Sequence, residues 1–230
     1  MALRFHATSL RKWRHELREK GADLAALLPC FLRVYAQVLR VCVEMHNRSV
    51  VHHDLKCDNI LISPAAGGAE AGLWDPLASG AVPAVFIADF GSGRIVDSSN
   101  EEYTLHNRGT ECIKSPEMLT VAQAAHKGMS TYDRRQKQGA SNASDVWSLG
   151  CLLYELVTGD FLFDDQDWTR FFVRVTTSSG EPIITQATRE SLQNDAVAGF
   201  LQFVLVRDPM RRPTTRDVLA RFETEFGKML

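Results

Sequence analysis

From Leu28 onward, apolar side chains recur at Leu28, Phe31, Leu32, Tyr35, Val38, Leu39, Cys42 and Met45, and the run stops at Asn47-Arg48-Ser49. That three-and-four spacing is one face of a helix, so a long amphipathic helix is predicted here. Over residues 144–159 the apolar positions instead cover almost the whole circumference, which requires a helix buried on nearly all sides. Ser144 is placed to cap its start and Gly159 its end. Residues 168–175 read as a further amphipathic helix, 196–206 as a more buried one, and 215–226 as a last helix that closes the domain. Near the start, residues 2–5 predict a short strand, and Ser9 is a suitable N-cap for a helix beginning at Leu10. Val50-Val51, Ile60-Leu61-Ile62 and Val85-Phe86-Ile87-Ala88 are short and rich in β-branched residues, the composition of strands. The pattern predicts an α+β fold, predominantly α-helical, with short β-hairpins around the polar stretch 52–59. Two segments, 63–83 and 121–140, hold no sustained period and are expected to be surface insertions; Leu73-Trp74 in the first is a candidate docking pair, with a plain loop the favoured reading.

With 230 residues and 45% hydrophobic content, the chain can bury one substantial core. The net charge of −2 gives no electrostatic case for nucleic acid or an anionic membrane as a partner. Two basic clusters, 11–15 and 134–137, are expected to be solvated faces. The five cysteines form no C-x-x-C pair and are odd in number, which suits a reducing compartment and argues against a zinc site. Cys30, Cys42 and Cys151 fall on apolar helical faces and are expected in the core. No apolar run approaches the ~20 residues of a membrane span, and the first residues lack a secretory pattern, so a soluble, intracellular (cytoplasmic) chain is expected.

The chemistry concentrates in His52-His53-Asp54-Leu55-Lys56-Cys57-Asp58-Asn59, a polar stretch pinned between two predicted strands. Asp54 can accept the proton of a hydroxyl, Lys56 can neutralise phosphate charge, and Asn59 offers an amide oxygen to a hard cation such as Mg²⁺. Taken alone, the stretch also fits a polar turn between strands, the lesser of the two readings. A second carboxylate then arrives at a strand end, in Asp89-Phe90-Gly91. Three further stretches follow in order: Gly109-Thr110-Glu111-Cys112-Ile113-Lys114-Ser115-Pro116-Glu117, the Asp145-x-Trp147-x-x-Gly150 portion of the buried helix, and Asp208-Pro209-Met210-Arg211-Arg212-Pro213-Thr214.

These five stretches resemble the catalytic loop, D-F-G, A-P-E, central-helix and R-P-T motifs of eukaryotic-type protein kinases of the Ser/Thr class. Small-molecule phosphotransferases of the same superfold share the first two motifs but lack the last three. The resemblance implies ATP and Mg²⁺ as cofactors and a protein substrate with a Ser or Thr acceptor. It implies Asp54, Lys56 and Thr110 as catalytic residues, and Asn59 and Asp89 as metal ligands at the nucleotide. Leu61 would lie beneath the adenine, supported by Leu152 and Leu156. Structural roles fall to His52, Phe90, Gly91, to Asp145 as an anchor for the catalytic-loop backbone, and to Glu117 paired with Arg212. The implied map is a hinge near 3–8, catalytic loop 52–59, activation segment 89–117 and helical subdomain 144–230.

Three positions depart from the family pattern: His53 stands for Arg, Ile113 for an aromatic residue and Ser115 for Ala. Arg at position 53 would receive an activation-loop phosphate, so phosphorylation at Ser98, Ser99, Tyr103 or Thr104 is expected to activate weakly. The sequence also holds no G-x-G-x-x-G strand turn and no V-A-I-K-like lysine. The resemblance therefore implies a C-terminal lobe with the N-terminal lobe missing, at a length short of the roughly 250 residues that two lobes need. Weak ATP binding is expected of it alone. A non-catalytic, pseudokinase-like interaction module is the competing expectation, against which stand the intact Asp54, Lys56, Asn59 and Asp89.

Overall fold

A computed structural model describes residues 8–63, 82–96, 109–126, 141–177 and 182–230. The expected strand at 2–5, most of the expected hinge, Leu73-Trp74, the four hydroxyl residues from Ser98 to Thr104 and the basic cluster 134–137 lie outside the described residues. A two-residue strand β1 (Thr8–Ser9) leads into α1 (Leu10–Glu19), where Ser9 Oγ accepts from Lys12 N at 3.3 Å. The long helix α2 (Leu28–Asn47) carries Pro29 in its first turn, where the missing N–H costs nothing. Strands β2 (Val50–Val51), β3 (Ile60–Ser63), β4 (Ala84–Ile87) and β5 (Arg94–Ile95) follow. The remaining helices are α3 (Pro116–His126), α4 (Asn142–Thr158), α5 (Trp168–Thr176), α6 (Gln186–Leu192), α7 (Asp195–Val204) and α8 (Thr215–Phe226).

The strands form two small antiparallel sheets, one ordered β1-β3-β4 and one pairing β2 with β5. Ile60 sits opposite Ile87 and Val51 opposite Arg94, so the polar stretch 52–59 is held by a strand at each end. Beneath the sheets, α2, α4, α7 and α8 make the core. Every residue of α4 from Ser144 to Leu156 is buried. Tyr35 of α2 packs on Phe222 (5.3 Å) and Phe200 (6.3 Å), and its hydroxyl donates to Leu149 O at 3.1 Å. That bond is what makes a fully buried Tyr tolerable between helices.

Four expectations are corrected. Helix α4 begins at Asn142 and its N-cap is Ser141, not Ser144; Ser144 is the third helical residue, and its Oγ accepts from Ser141 N at 3.3 Å in a reciprocal capping box. The expected insertion 121–140 is helical over its first six residues, which continue α3. The cluster 11–15 is not a solvated face: Lys12 and His15 are exposed, but Trp13 packs edge-on against Phe31 at 5.9 Å and Arg14 is buried. Arg14 donates to Leu156 O (2.8 Å) and Val157 O (3.1 Å), taking the place of the intrahelical donors that the end of α4 lacks. The expected helix over 196–206 runs one residue earlier at its start, capped by Asn194, and two earlier at its end.

Candidate active site

The site is assembled on the first turn of α4. Asp145 there is wholly buried, and its carboxylate accepts from His53 N (2.7 Å), His52 N (2.8 Å) and His46 Nε2 (3.0 Å). Burial alone would raise this carboxyl's pKa; the His46 bond, the neighbouring imidazoles and the His52 N–H outweigh burial and hold it below its ordinary value. Asp145 is thereby an ionised anchor for two consecutive backbone N–H groups, one of which belongs to His53, held at φ +63°. His46 was not singled out in the sequence. Its only signal there is a polar residue one turn after Cys42 on the apolar face of α2, and its other ring nitrogen lies 3.1 Å from Thr215 Oγ1.

His52 bridges the two motif-bearing loops. Its Nδ1 accepts from Asp54 N at 3.2 Å, and its Nε2 lies 3.0 Å from Ala88 O. A backbone N–H can only donate and a carbonyl only accept, so the ring proton is on Nε2. The ring packs against Phe90 with centroids 4.7 Å apart. Phe90 remains 47% exposed.

Asp54 is held from three sides. Oδ1 accepts from Thr110 N at 2.8 Å, Oδ2 accepts from Asn59 Nδ2 at 3.0 Å, and Lys56 Nζ lies 3.4 Å from Oδ2. Lys56 also donates to Thr110 Oγ1 at 2.6 Å. Burial again works upward, and the Thr110 hydrogen bonds with the Lys56 charge bring the Asp54 pKa below its ordinary value. Gly109 makes the approach of Thr110 possible: its φ is +77°, and a Cβ there would stand 2.2 Å from His53 O.

Asn59 and Asp89 share one end of the β3–β4 hairpin. Ala88 N donates to Asn59 O at 2.9 Å, extending the ladder by one step. Both bonds from the Asn59 amide nitrogen go to Asp54, to its backbone O (2.8 Å) and to Oδ2, which leaves the amide oxygen as the group turned to other partners. Asp89 is exposed at φ +61°, and its Oδ1 accepts from Gly91 N at 3.2 Å. An amide oxygen and a carboxylate are the hard donors that Mg²⁺ takes, so these two residues fit it. Among the described residues no group of three or more His, Cys, Asp and Glu could hold a metal. Two protein ligands completed by phosphate and water oxygens is the usual Mg²⁺ arrangement at a nucleotide. Leu61 alternates with the buried Ile60 and Ile62 on β3, and so turns its partly exposed side chain to the face opposite the core. Leu152 and Leu156 are fully buried in α4.

Glu117 and Arg212 meet bidentately at 2.8 and 3.0 Å, with side chains 9% and 0% exposed. Ser144 Oγ donates to Glu117 at 2.9 Å, and Arg212 reaches the carbonyls of Ala143, Val206 and Arg207. A second network was not foreseen: Arg11 links Asp58 (3.0 Å) to Glu155 (2.7 Å), and burial pushes the Glu155 pKa up against the pull of Arg11.

Comparison with known proteins bears on this arrangement. Residues 30–222 match the family described as protein kinase domain. A Dictyostelium discoideum protein described as a probable serine/threonine-protein kinase is 42% identical over 224 residues, 96% of this chain and 9% of its own length. Serine/threonine-protein kinase Nek8 of Danio rerio is 25% identical over 82% of this chain and 21% of its own length. Serine/threonine-protein kinase BCK1/SLK1/SSP31 of Saccharomyces cerevisiae is 26% identical over 84% of this chain and 11% of its own length. The chain thus spans about a fifth or less of each of these relatives. The matched span runs from α2 into α8 and takes in every residue of the site just described except Arg11, and the chain belongs to the protein kinase domain family.

Proposed function

We propose that the chain carries the catalytic groups of a protein serine/threonine kinase, which transfers the γ-phosphoryl of Mg-ATP to a Ser or Thr hydroxyl. The observation that carries this reading is the Asp54 carboxylate, held between Thr110 N, Asn59 Nδ2 and Lys56 Nζ with its pKa lowered. A base fixed by three donors is oriented before substrate arrives, which suits a reaction catalysed mostly by positioning. Asp54 orients the attacking hydroxyl and takes its proton as the O–P bond forms; ADP leaves with the electrons of the broken bond. Lys56 lies beside that carboxylate and offsets negative charge at the transferred group. Asn59 and Asp89 would hold the cation, which when bound would neutralise charge on the phosphate oxygens.

Asp54→Asn keeps the shape and removes the base. With radiolabelled Mg-ATP and a Ser/Thr substrate, its transfer rate is expected to fall by about 10²–10⁴-fold. The base works deprotonated and its pKa lies below the usual carboxylate value, so the wild-type rate should hold as pH falls toward about 4. Equal rates for wild type and variant would remove the catalytic reading in favour of the non-catalytic interaction module. The 230 residues by themselves contain no glycine-rich strand turn, and we propose that alone they bind Mg-ATP weakly. Fast turnover by the isolated chain would overturn that part only.

A further inference from the structure

Helix α5 buries Phe171 and Val175 and turns Thr169, Arg170, Val173 and Arg174 outward. A single exposed valine needs no explanation on a protein surface. Val173, 49% exposed, differs because it lines a cleft of about 480 Å³, with Phe163, Pro182 and Ile183 as the other apolar walls. That volume is within the range of clefts that hold ligands. No side chain that lines it takes part in the site described above.

The charge of the cleft is one-sided. Its carboxylate, Asp167, accepts from Thr169 N (2.9 Å) and Arg170 N (3.1 Å), where it caps the positive end of α5. The Arg170 guanidinium grips Asp165 bidentately, so those two charges offset each other. Arg207 donates to the carbonyls of Val175 and Arg174, both at 3.1 Å, and adds its positive charge at the other end of the helix. Arg174 lies over the Phe163 ring at 5.5 Å, and among the described residues its guanidinium makes one hydrogen bond, to Leu162 O at 3.4 Å. A guanidinium resting on an aromatic face with one long bond keeps most of its fork for another partner. A bare anion makes no use of the apolar wall beside it, and a bare apolar side chain makes none of Arg174.

We propose that this cleft docks an acidic segment of a partner protein, which sets a bulky apolar side chain against Val173 and Ile183 and a carboxylate on Arg174. The inference does not rest on the phosphoryl-transfer reading, and its test needs neither ATP nor transfer. A fluorescein-labelled peptide with a central Phe between pairs of Glu is titrated into the full chain and followed by anisotropy. Two relatives are titrated beside it, one with Ser for Phe and one with Gln for every Glu. The acidic Phe peptide should bind about tenfold tighter than either relative. Arg174→Met keeps an apolar stem over Phe163 and removes the fork, so it should erase the advantage of Glu over Gln and leave the Gln peptide unchanged. Val173→Asp should weaken the acidic Phe peptide by about tenfold through repulsion and loss of the apolar wall. Arg221→Met on α8 removes the same charge from another surface and should change nothing, with melting temperatures recorded for each variant. Equal binding of the three peptides, a Glu preference that survives Arg174→Met, the same loss in Arg221→Met, or no binding of any peptide at millimolar concentration overturns the proposal.

Discussion

At the scale of single residues, the departures from the family pattern are where new behaviour is expected. Ser115 stands where the resemblance has Ala, is 1% exposed, and its hydroxyl has no hydrogen-bond partner among the described residues. A buried hydroxyl left unpaired costs about 1–3 kcal/mol relative to one solvated in the unfolded chain. Ser115→Ala removes that oxygen without opening a cavity larger than the atom itself. The variant should be more stable by about 1 kcal/mol, which for a chain of this size raises the melting temperature by about 2–4 °C. A melting temperature at or below wild type, by calorimetry, would show that the hydroxyl does find an acceptor. His53 differs in kind: its backbone, at φ +63° and tied to Asp145, fixes the position of Asp54 next to it whatever its side chain does.

At the scale of elements, the outcome turns on the ends of α4. Arg14 of α1 lies across the C-terminal carbonyls of this helix, and Gly159 follows at φ +87° with the guanidinium against it; a Cβ at 159 would meet Arg14 Nη1 at 1.9 Å. Gly159→Ala therefore costs the left-handed conformation, about 1–2 kcal/mol, and also pushes Arg14 off Leu156 O and Val157 O. Arg14→Met loses the same two bonds directly, at about 1 kcal/mol each. Because the bonds can be lost only once, the stability lost by the double variant should be well below the sum of the two single losses, a coupling that urea denaturation of all four proteins measures.

This joint was invisible in the sequence for a physical reason. Periodicity reports which face of a helix is buried, not which polar residue 142 positions away completes its end. The same holds for His46 and Arg11, whose partners come from other elements. What was legible is local: α8 matches its expected bounds because a Thr214–Asp217 capping box precedes the Val218, Phe222, Phe226 stripe. The loop 52–59 was legible because its strands and its polar residues are contiguous. Helix α6 was missed because its seven residues carry almost no apolar signal. The start of α4 was misplaced because Ser141 and Ser144 both qualify as caps and stand three apart, the two ends of one capping box.

At the scale of the whole molecule, one turn of α4 holds two distant parts of the site. Ser144 bonds Glu117 in the first turn of α3, and the next residue, Asp145, bonds the backbone N–H groups of His52 and His53. Arg212 clamps that turn from outside, reaching Glu117, Ala143, Val206 and Arg207 from a side chain with no exposure, and it lies over the Trp147 ring at 5.4 Å. Lysine carries the charge but not the fork, so it can satisfy only part of this set. Arg212→Lys should cost about 2 kcal/mol through carbonyls left without donors, whereas Arg212→Met strands the Glu117 carboxylate as well and should cost about 3–5 kcal/mol. Adding Glu117→Gln to Arg212→Met removes the stranded charge and should recover part of that loss. If the clamp serves the site, amide exchange at His52 and His53 should quicken in Arg212→Met by more than in Ser115→Ala, because the turn that carries Asp145 is no longer held from both sides. Unchanged exchange at those two amides, alongside a large fall in global stability, would confine Arg212 to stability and detach it from the positioning of Asp54.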